Sequence, residues 1–398
     1  MEISIDSSAD MNMVIFVVDS KENRKTSVFT TFEKYTIKQN RLSMKKILFI
    51  VLLTLCQLMP AQSQNETPAS RWSEEKAEAW YARQPWLVGC NYIPATAINQ
   101  IEMWRDSTFD AAQIDKELGW AHSLGFNTLR VFLSSVVYAH DPDGLKNRMK
   151  TFLHISKRHH IKPMFVFFDD CWNEESTYGP QPAPKTGVHN SGWLRDPSVS
   201  LRSDTTTLFP QLEKYVKDIL TTFRNDHRIL MWDLYNEPGN SGHSNQSLPL
   251  LRNVFKWAKE VNPSQPVSSG VWSSQLTELN HFQLTHSDII TYHDYQNATA
   301  HKQTLDTLAR YHRPLICTEY MARTRGSRFQ NILPLLKSRH VAAINWGFVS
   351  GKTNTIYAWD TPMSDGKEPK IWFHDIFRQD GTPFSTEEIK FIRSMTKK

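Results

Sequence analysis

Two glutamates in this 398-residue chain stand where an apolar run ends and a loop begins. Glu237 closes the run in "ILMWDLYNEPGN" (229–240), and Glu319 closes the one in "PLICTEY" (314–320). A single glutamate at a strand end is more often an ion-pair partner or a helix-capping group than a catalyst, so neither decides anything alone. Facing each other across a cleft, two such acids are the apparatus for cleaving a glycosidic bond. One is held protonated and donates to the departing oxygen. The other stays ionised and attacks the anomeric carbon or activates water, and differing surroundings separate their pKa values. Asn236, beside the first acid, is suited to hydrogen-bond a sugar hydroxyl. Arg130, in "NTLRVFL", would keep Glu319 ionised by charge and hydrogen bonding, and Tyr295, in "YHDY", would orient it.

Such residues work together only if one scaffold gathers them at one mouth. Eight short apolar runs recur from residue 86: "WLVGCNY" (86–92), "NTLRVFL" (127–133), "KPMFVFFDD" (162–170), "ILMWDLYNE" (229–237), "PVSSGVW" (266–272), "DIITYHDY" (288–295), "PLICTEY" (314–320) and "AAINWGFVS" (342–350). The first seven each precede an amphipathic stretch, weakest in "SSQLTELNHF", and "STEEIKFIRSM" closes the chain. Continuous apolar runs alternating with helices describe a parallel sheet buried on both faces. Eight units favour the α/β class with a single (β/α)8 TIM barrel, in which chemistry sits at the C-terminal strand ends. Read this way, the strand ends carry Asn91 and Tyr92, Arg130, Asp169 and Asp170, Asn236 and Glu237, Trp272, His293 and Tyr295, Glu319, and Trp346. Their joint placement outweighs the bland reading each has alone: capping for the two aspartates, a satisfied core ring for His293, core packing for Trp346. Glycine-rich nucleotide-binding patterns are absent.

The segment from Met44, "MKKILFIVLLTLCQLMPAQSQ", has the three parts of a secretory signal peptide, with Ala61-Gln62-Ser63 as its cleavage site. Its apolar core is shorter than the roughly 20 residues of a membrane-spanning helix. We therefore expect residues 1–43 to be an overlong extension without reliable elements, 44–63 a signal peptide, 64–85 a lead-in and 86–398 the barrel. Export follows as the expectation. Lipidation at Cys56 is disfavoured because the bulky Leu55 precedes it. The net charge of +5 for the whole chain is small for its size and no basic stripe is evident, which excludes a nucleic-acid binder. A monomer is the expected state. Cys90, Cys171 and Cys317 are irregularly spaced and read as buried free thiols rather than a disulfide or zinc set.

At these residues the sequence resembles the clan A glycoside hydrolases, especially family 5. The carriers are "NEP" at the fourth run, "TEY" at the seventh, "GFNTLRV" with Arg130, "YHDY" with His293 and Tyr295, and "INWGF" with Trp346. The resemblance covers about residues 86 to 395. It implies a retaining double displacement, with Glu237 as general acid/base and Glu319 as nucleophile. Asn236 would contact the 2-hydroxyl, His293 and Tyr295 would tune the pair, and Trp346 would floor the subsite of the attacked sugar. No metal or cofactor is implied. The substrate would be a β-linked oligo- or polysaccharide, with mannoside, xyloside and glucoside all open. A transglycosylase and a non-catalytic carbohydrate-binding barrel are the alternatives. One departure stands out: family 5 cellulases carry a histidine near the end of the third strand, where this chain has "FVFFDDCWN". Asp169, Asp170 and Trp172 occupy that neighbourhood, and the two carboxylates are expected to grip sugar hydroxyls with charge-assisted bonds. The loop from Asn173 to Asp196 is expected to wall one end of the cleft.

Overall fold

The computed structural model describes residues 71–397, together with three short strands near the N-terminus. Two units divide the chain, Met1–Asn65 and Glu66–Lys398. In the first, strands Glu2–Asp6, Val14–Val18 and Lys25–Ser27 form an antiparallel sheet in which Glu2 pairs with Val18 and Phe16 with Ser27. We expected no element there. The signal-peptide segment 44–63 lies outside the described residues. Among the described residues, no helix is long and apolar enough to cross a membrane.

The second unit is the expected barrel. Its strands are β1 (Val88–Asn91), β2 (Thr128–Phe132), β3 (Lys162–Asp169), β4 (Trp232–Asn236), β5 (Val267–Ser268), β6 (Ile290–His293), β7 (Leu315–Glu319) and β8 (Ala342–Asn345). They pair in parallel in the order β5-β4-β3-β2-β1-β8-β7-β6. The ring closes between β5 and β6 through a parallel bridge, where Val271 accepts from His293 N and donates to Thr291 O. β5 is the shortest strand because its run passes into Ser268-Ser269-Gly270, whose hydroxyls bond to Ile289 O and Tyr235 O.

Helices Ala111–Ser123, Pro142–Arg158, Thr205–Thr222, Leu248–Val261, Thr277–His286, Ala298–Leu308 and Phe329–Ser338 follow the first seven strands, and Thr386–Thr396 ends the chain. Their starts are written locally. The helix beginning at Pro142 has the Asp141 carboxylate accepting from Gly144 N, proline in its first turn, and Lys157 and Arg158 in its last.

The lead-in has a use the sequence did not disclose. Helix Glu74–Ala82, capped by Ser73, packs Trp72, Ala77 and Trp80 against Leu87, Met164, Met231, Ile316 and Ile344. These residues form a hydrophobic cluster separate from the large one between strands and helices. Arg313 and Asp288 tie the segment down through Trp72 O and Trp72 N. The strands therefore have both an apolar base and a fixed depth.

Candidate active site

Glu319 ends β7 and is 5 % exposed. Its Oε1 accepts from the Arg130 guanidinium at 2.7 Å and its Oε2 from the Tyr295 hydroxyl at 2.7 Å. Arg130, in the middle of β2, is completely buried. It also donates to Asp233 at 2.9 Å, to Asn91 at 2.9 Å and to Asn236 at 2.6 Å. Its planar fork thus reaches four acceptors from three other strands, a task for which a lysine has the wrong shape. Burial pulls the guanidinium's pKa down, but Asp233 and Glu319 more than reverse this, and the net shift is upward. Burial raises the Glu319 carboxyl above the usual range, while Arg130 and the Tyr295 hydroxyl pull it back.

Glu237 follows β4 directly, with a left-handed φ of +43°. The turn behind it is pinned from below: Gly239 N donates to Asp170 Oδ2 at 2.8 Å. Gly239 has φ +86°, and a Cβ there would come within 2.6 Å of Leu279 and 2.9 Å of Ser244 O, so only glycine fits. Glu237 Oε1 lies 2.7 Å from His293 Nδ1, and its Oε2 accepts from the Cys171 thiol at 3.2 Å and from the Asn240 amide. Burial raises this carboxyl too, with Cys171 and Asn240 opposing. His293 is lowered to about 4 by burial, so the ring bridging the two acids is neutral at physiological pH. Its Nδ1 is also 3.5 Å from Glu319 Oε2.

An oxygen of each glutamate and a ring nitrogen of His293 lie within 4.8 Å of one another, the single such cluster of potential metal ligands among the described residues. The guanidinium 2.7 Å from Glu319 already supplies the positive charge a cation would bring. The acids open into a cavity of about 1130 Å³. Asn236, Trp172, Tyr295, His293 and Trp346 line it as well, while Arg130 supports it from beneath.

Asp169 and Asp170 are placed differently from our expectation. Neither lines the cavity. Asp169 accepts from Asn236 at 2.8 Å, Trp193 at 2.7 Å and Cys171 N at 2.9 Å, and burial lifts it to about 7 against those donors. Asp170 accepts from Tyr235 at 2.8 Å, Ser247 and Arg202 at 2.5 Å and Gly239 N at 2.8 Å. Both carboxylates are fully engaged inside the protein and orient the residues that face the cleft. The reason is what surrounds them: Asn236, Trp193, Tyr235, Ser247 and Arg202 take up their oxygens inside the protein.

Sequence reasoning missed Asp233, Asn240 and Trp359, and although Cys171 is the buried free thiol it expected, its contact with Glu237 was not foreseen. Asn240 had a signal, three residues beyond Glu237 in the same turn. Trp359 had none: it lies in the long stretch between β8 and the last helix, and it reaches the site by packing 4.8 Å from Tyr295.

Asn173, His189, Asn190 and Trp193 of the Asn173–Asp196 loop line the cavity, and the loop does not stand alone. Asn99 donates to Gly192 O, Gln100 to Leu194 O, Asn190 N to Thr353 O and Met363 N to Gly187 O. The loop is thereby stitched to the segments after β1 and after β8.

A family model for the TIM-barrel domain of family 2 glycosyl hydrolases matches residues 182–340. A search of curated proteins finds no match. Among solved structures, an exo-β-1,4-mannosidase from Opitutaceae bacterium strain TAV5 aligns with TM-score 0.55 and 18% identity over 78% of this chain and 60% of that one. A GH5_18 protein from Streptomyces cattleya in complex with GlcNAc gives 0.54 and 13% over 78% and 79%. An endo-β-1,4-mannanase from Thermotoga petrophila gives 0.52 and 14% over 80% and 77%. The chain therefore has the (β/α)8 fold of these proteins and resembles the barrels of clan A glycoside hydrolases, as its two glutamate motifs imply.

Proposed function

We propose that this barrel is a retaining β-glycoside hydrolase that works by double displacement. The observation that supports the reading is the meeting of two glutamates in one cleft, with one oxygen of each within 4.8 Å of the other. Retaining enzymes hold their carboxyl groups roughly 5–5.5 Å apart, whereas inverting ones leave about 6.5–9.5 Å for a water. Glu319, oriented by Arg130 and Tyr295, attacks the anomeric carbon. As the glycosidic bond breaks, Glu237 gives its proton to the departing oxygen. The ester formed on Glu319 is then opened by water, which returns a proton to Glu237. His293 keeps an uncharged ring between the two acids, so that a proton on Glu237 is not repelled.

Mannosides, xylosides and glucosides remain the candidate substrates, and similarity in fold to β-1,4-mannan-acting proteins puts mannosides first in a screen. The test is a panel of aryl β-glycosides and defined oligosaccharides, with the anomer of the first product followed by NMR. Retention is expected. An inverted first product would remove the nucleophile role from Glu319.

The same reading takes the protein to be exported after cleavage behind Ser63. N-terminal sequencing of the secreted form is expected to begin at Gln64.

A further inference from the structure

The stitched wall contains polar groups that the protein does not use. His189 is buried and lines the cavity, and its Nδ1 lies 2.8 Å from Tyr357 O. A carbonyl only accepts, so Nδ1 carries the hydrogen and Nε2 is left as a bare acceptor. That Nε2 has no protein partner. The next residue, Asn190, is 1 % exposed and also lines the cavity, and both its amide oxygen and its amide nitrogen lack a partner. Buried polar atoms left unpaired are costly, and in folded proteins nearly all of them are satisfied. Here two consecutive residues, tied to the segment after β8 through Asn190 N and His189 Nδ1, leave two acceptors and one donor group without a protein partner beside the cavity.

Around them stand Trp172, 5.3 Å from the His189 ring, and Trp359, 6.5 Å from it. Trp193, three residues beyond Asn190, packs 5.5 Å from Trp346. Unpaired neutral hydrogen-bonding groups among indoles suit a pyranose, which offers hydroxyls at its rim and C–H faces to aromatic rings. A phosphate or carboxylate does not fit, because the His189 ring is held uncharged, lowered to about 4 by burial. The cavity is also lined by Ser273, Ser274, Gln275, Gln303 and Thr307, none of which belongs to this loop.

From this geometry we infer that His189 and Asn190 form the recognition site for the terminal sugar of the glycan, hydrogen-bonding its hydroxyls against the wall, so that the protein acts from the chain end. The inference rests on the glycosidase reading, since Trp346, taken as the floor under the attacked sugar, touches the wall through Trp193. The wall then halts the chain on the side of the attacked sugar, and the rest of the glycan leaves away from the wall. Terminal recognition thus falls to the loop and not to Asp169 and Asp170.

The test uses His189→Phe, which keeps the ring volume and removes the acceptor, and Asn190→Gly, which tolerates the left-handed backbone at φ +45° and removes the amide. Thermal melting checks that each folds, and if one does not, the other carries the test. Binding of methyl β-glycosides is measured by calorimetry, and product release from end-labelled oligosaccharides by chromatography. The expected result is monosaccharide as the first product of the wild type, with affinity and kcat/KM reduced about tenfold or more in each folded variant. Turnover by the wild type with unchanged binding in the variants, or cleavage of internal bonds as fast as terminal ones, overturns the inference and leaves the glycosidase reading standing. Binding that falls in the variants while no glycoside is turned over keeps the sugar site and removes the hydrolase. Neither binding nor turnover across the panel overturns both.

Discussion

The two sides of the cleft hold chemically similar residues by different means. On the β7 side, Glu319 is met by a guanidinium and a phenol, and the guanidinium is itself clamped by Asp233, Asn91 and Asn236. On the β4 side, Glu237 is met by a neutral imidazole, a thiol and an amide, with no cation in direct contact. Burial raises both carboxyls, so burial cannot be what separates them. On the proposed reading, the two acids are told apart by what each touches. A fixed positive charge favours the ionised form suited to attack, whereas weak neutral donors leave the other acid able to carry a proton.

Removing either acid breaks the comparison outright. Glu319→Ala is expected to lower turnover by about 10⁴-fold or more while leaving melting behaviour close to wild type. Near-wild-type activity in that variant would end the nucleophile assignment. Glu237→Ala should lose as much on poor leaving groups but retain much of its rate on activated aryl glycosides, and added azide should restore turnover as a glycosyl azide with the substrate's own anomeric configuration. Failure of azide with every leaving group would remove the acid/base role.

Arg130→Lys weakens the contrast without abolishing it. A lysine keeps the charge but cannot reach all four acceptors. We expect a loss of about 3 kcal/mol in transition-state stabilisation, which is roughly a hundredfold in kcat/KM. The sign of the pH effect follows from the contact: Arg130 holds the Glu319 carboxyl down, so a poorer contact lets it rise. The acid limb of the rate profile, which requires ionised Glu319, therefore moves to higher pH. A limb that stays in place would mean the arginine acts on the scaffold alone.

The smallest effect belongs to Cys171→Ala. The thiol donates to Glu237 and stabilises its ionised form, so its loss should raise that carboxyl and move the alkaline limb to higher pH. The change in maximal rate should stay within about tenfold, as for one modest hydrogen bond. Cys171→Ser, which retains a donor, should fall between alanine and wild type. An alkaline limb moving to lower pH in the alanine variant would reverse the assigned direction.

Much of this was legible in the chain. Each of the eight apolar runs contains its strand, because a strand buried on both faces must be written as continuous apolar sequence. Glu237, Glu319, His293 and Tyr295 were placed together because a parallel barrel sends every strand end to the same rim, whereas Arg130, read as a strand-end residue, sits in the middle of β2 and reaches Glu319 from beneath. The helix at Glu74–Ala82 was not seen, since its apolar residues answer to the base of the barrel and give little periodicity of their own. Asp169 and Asp170 were misjudged for a related reason. Residue type and strand position locate an acid near the rim, but whether it opens to the cleft or is taken up by Tyr235, Trp193 and Arg202 depends on neighbours distant in sequence.

By itself, then, the sequence determined the barrel and singled out two acids at its rim, through local patterns: apolar runs, helix starts, and a turn at Asn-Glu-Pro-Gly. The tertiary structure alone decided which acid meets a cation, how the thiol of Cys171 comes to face Glu237, and how loops after β1, β3 and β8 join into one wall. Those outcomes are long-range contacts between segments with no periodicity, and only packing in three dimensions brings their side chains within hydrogen-bonding reach.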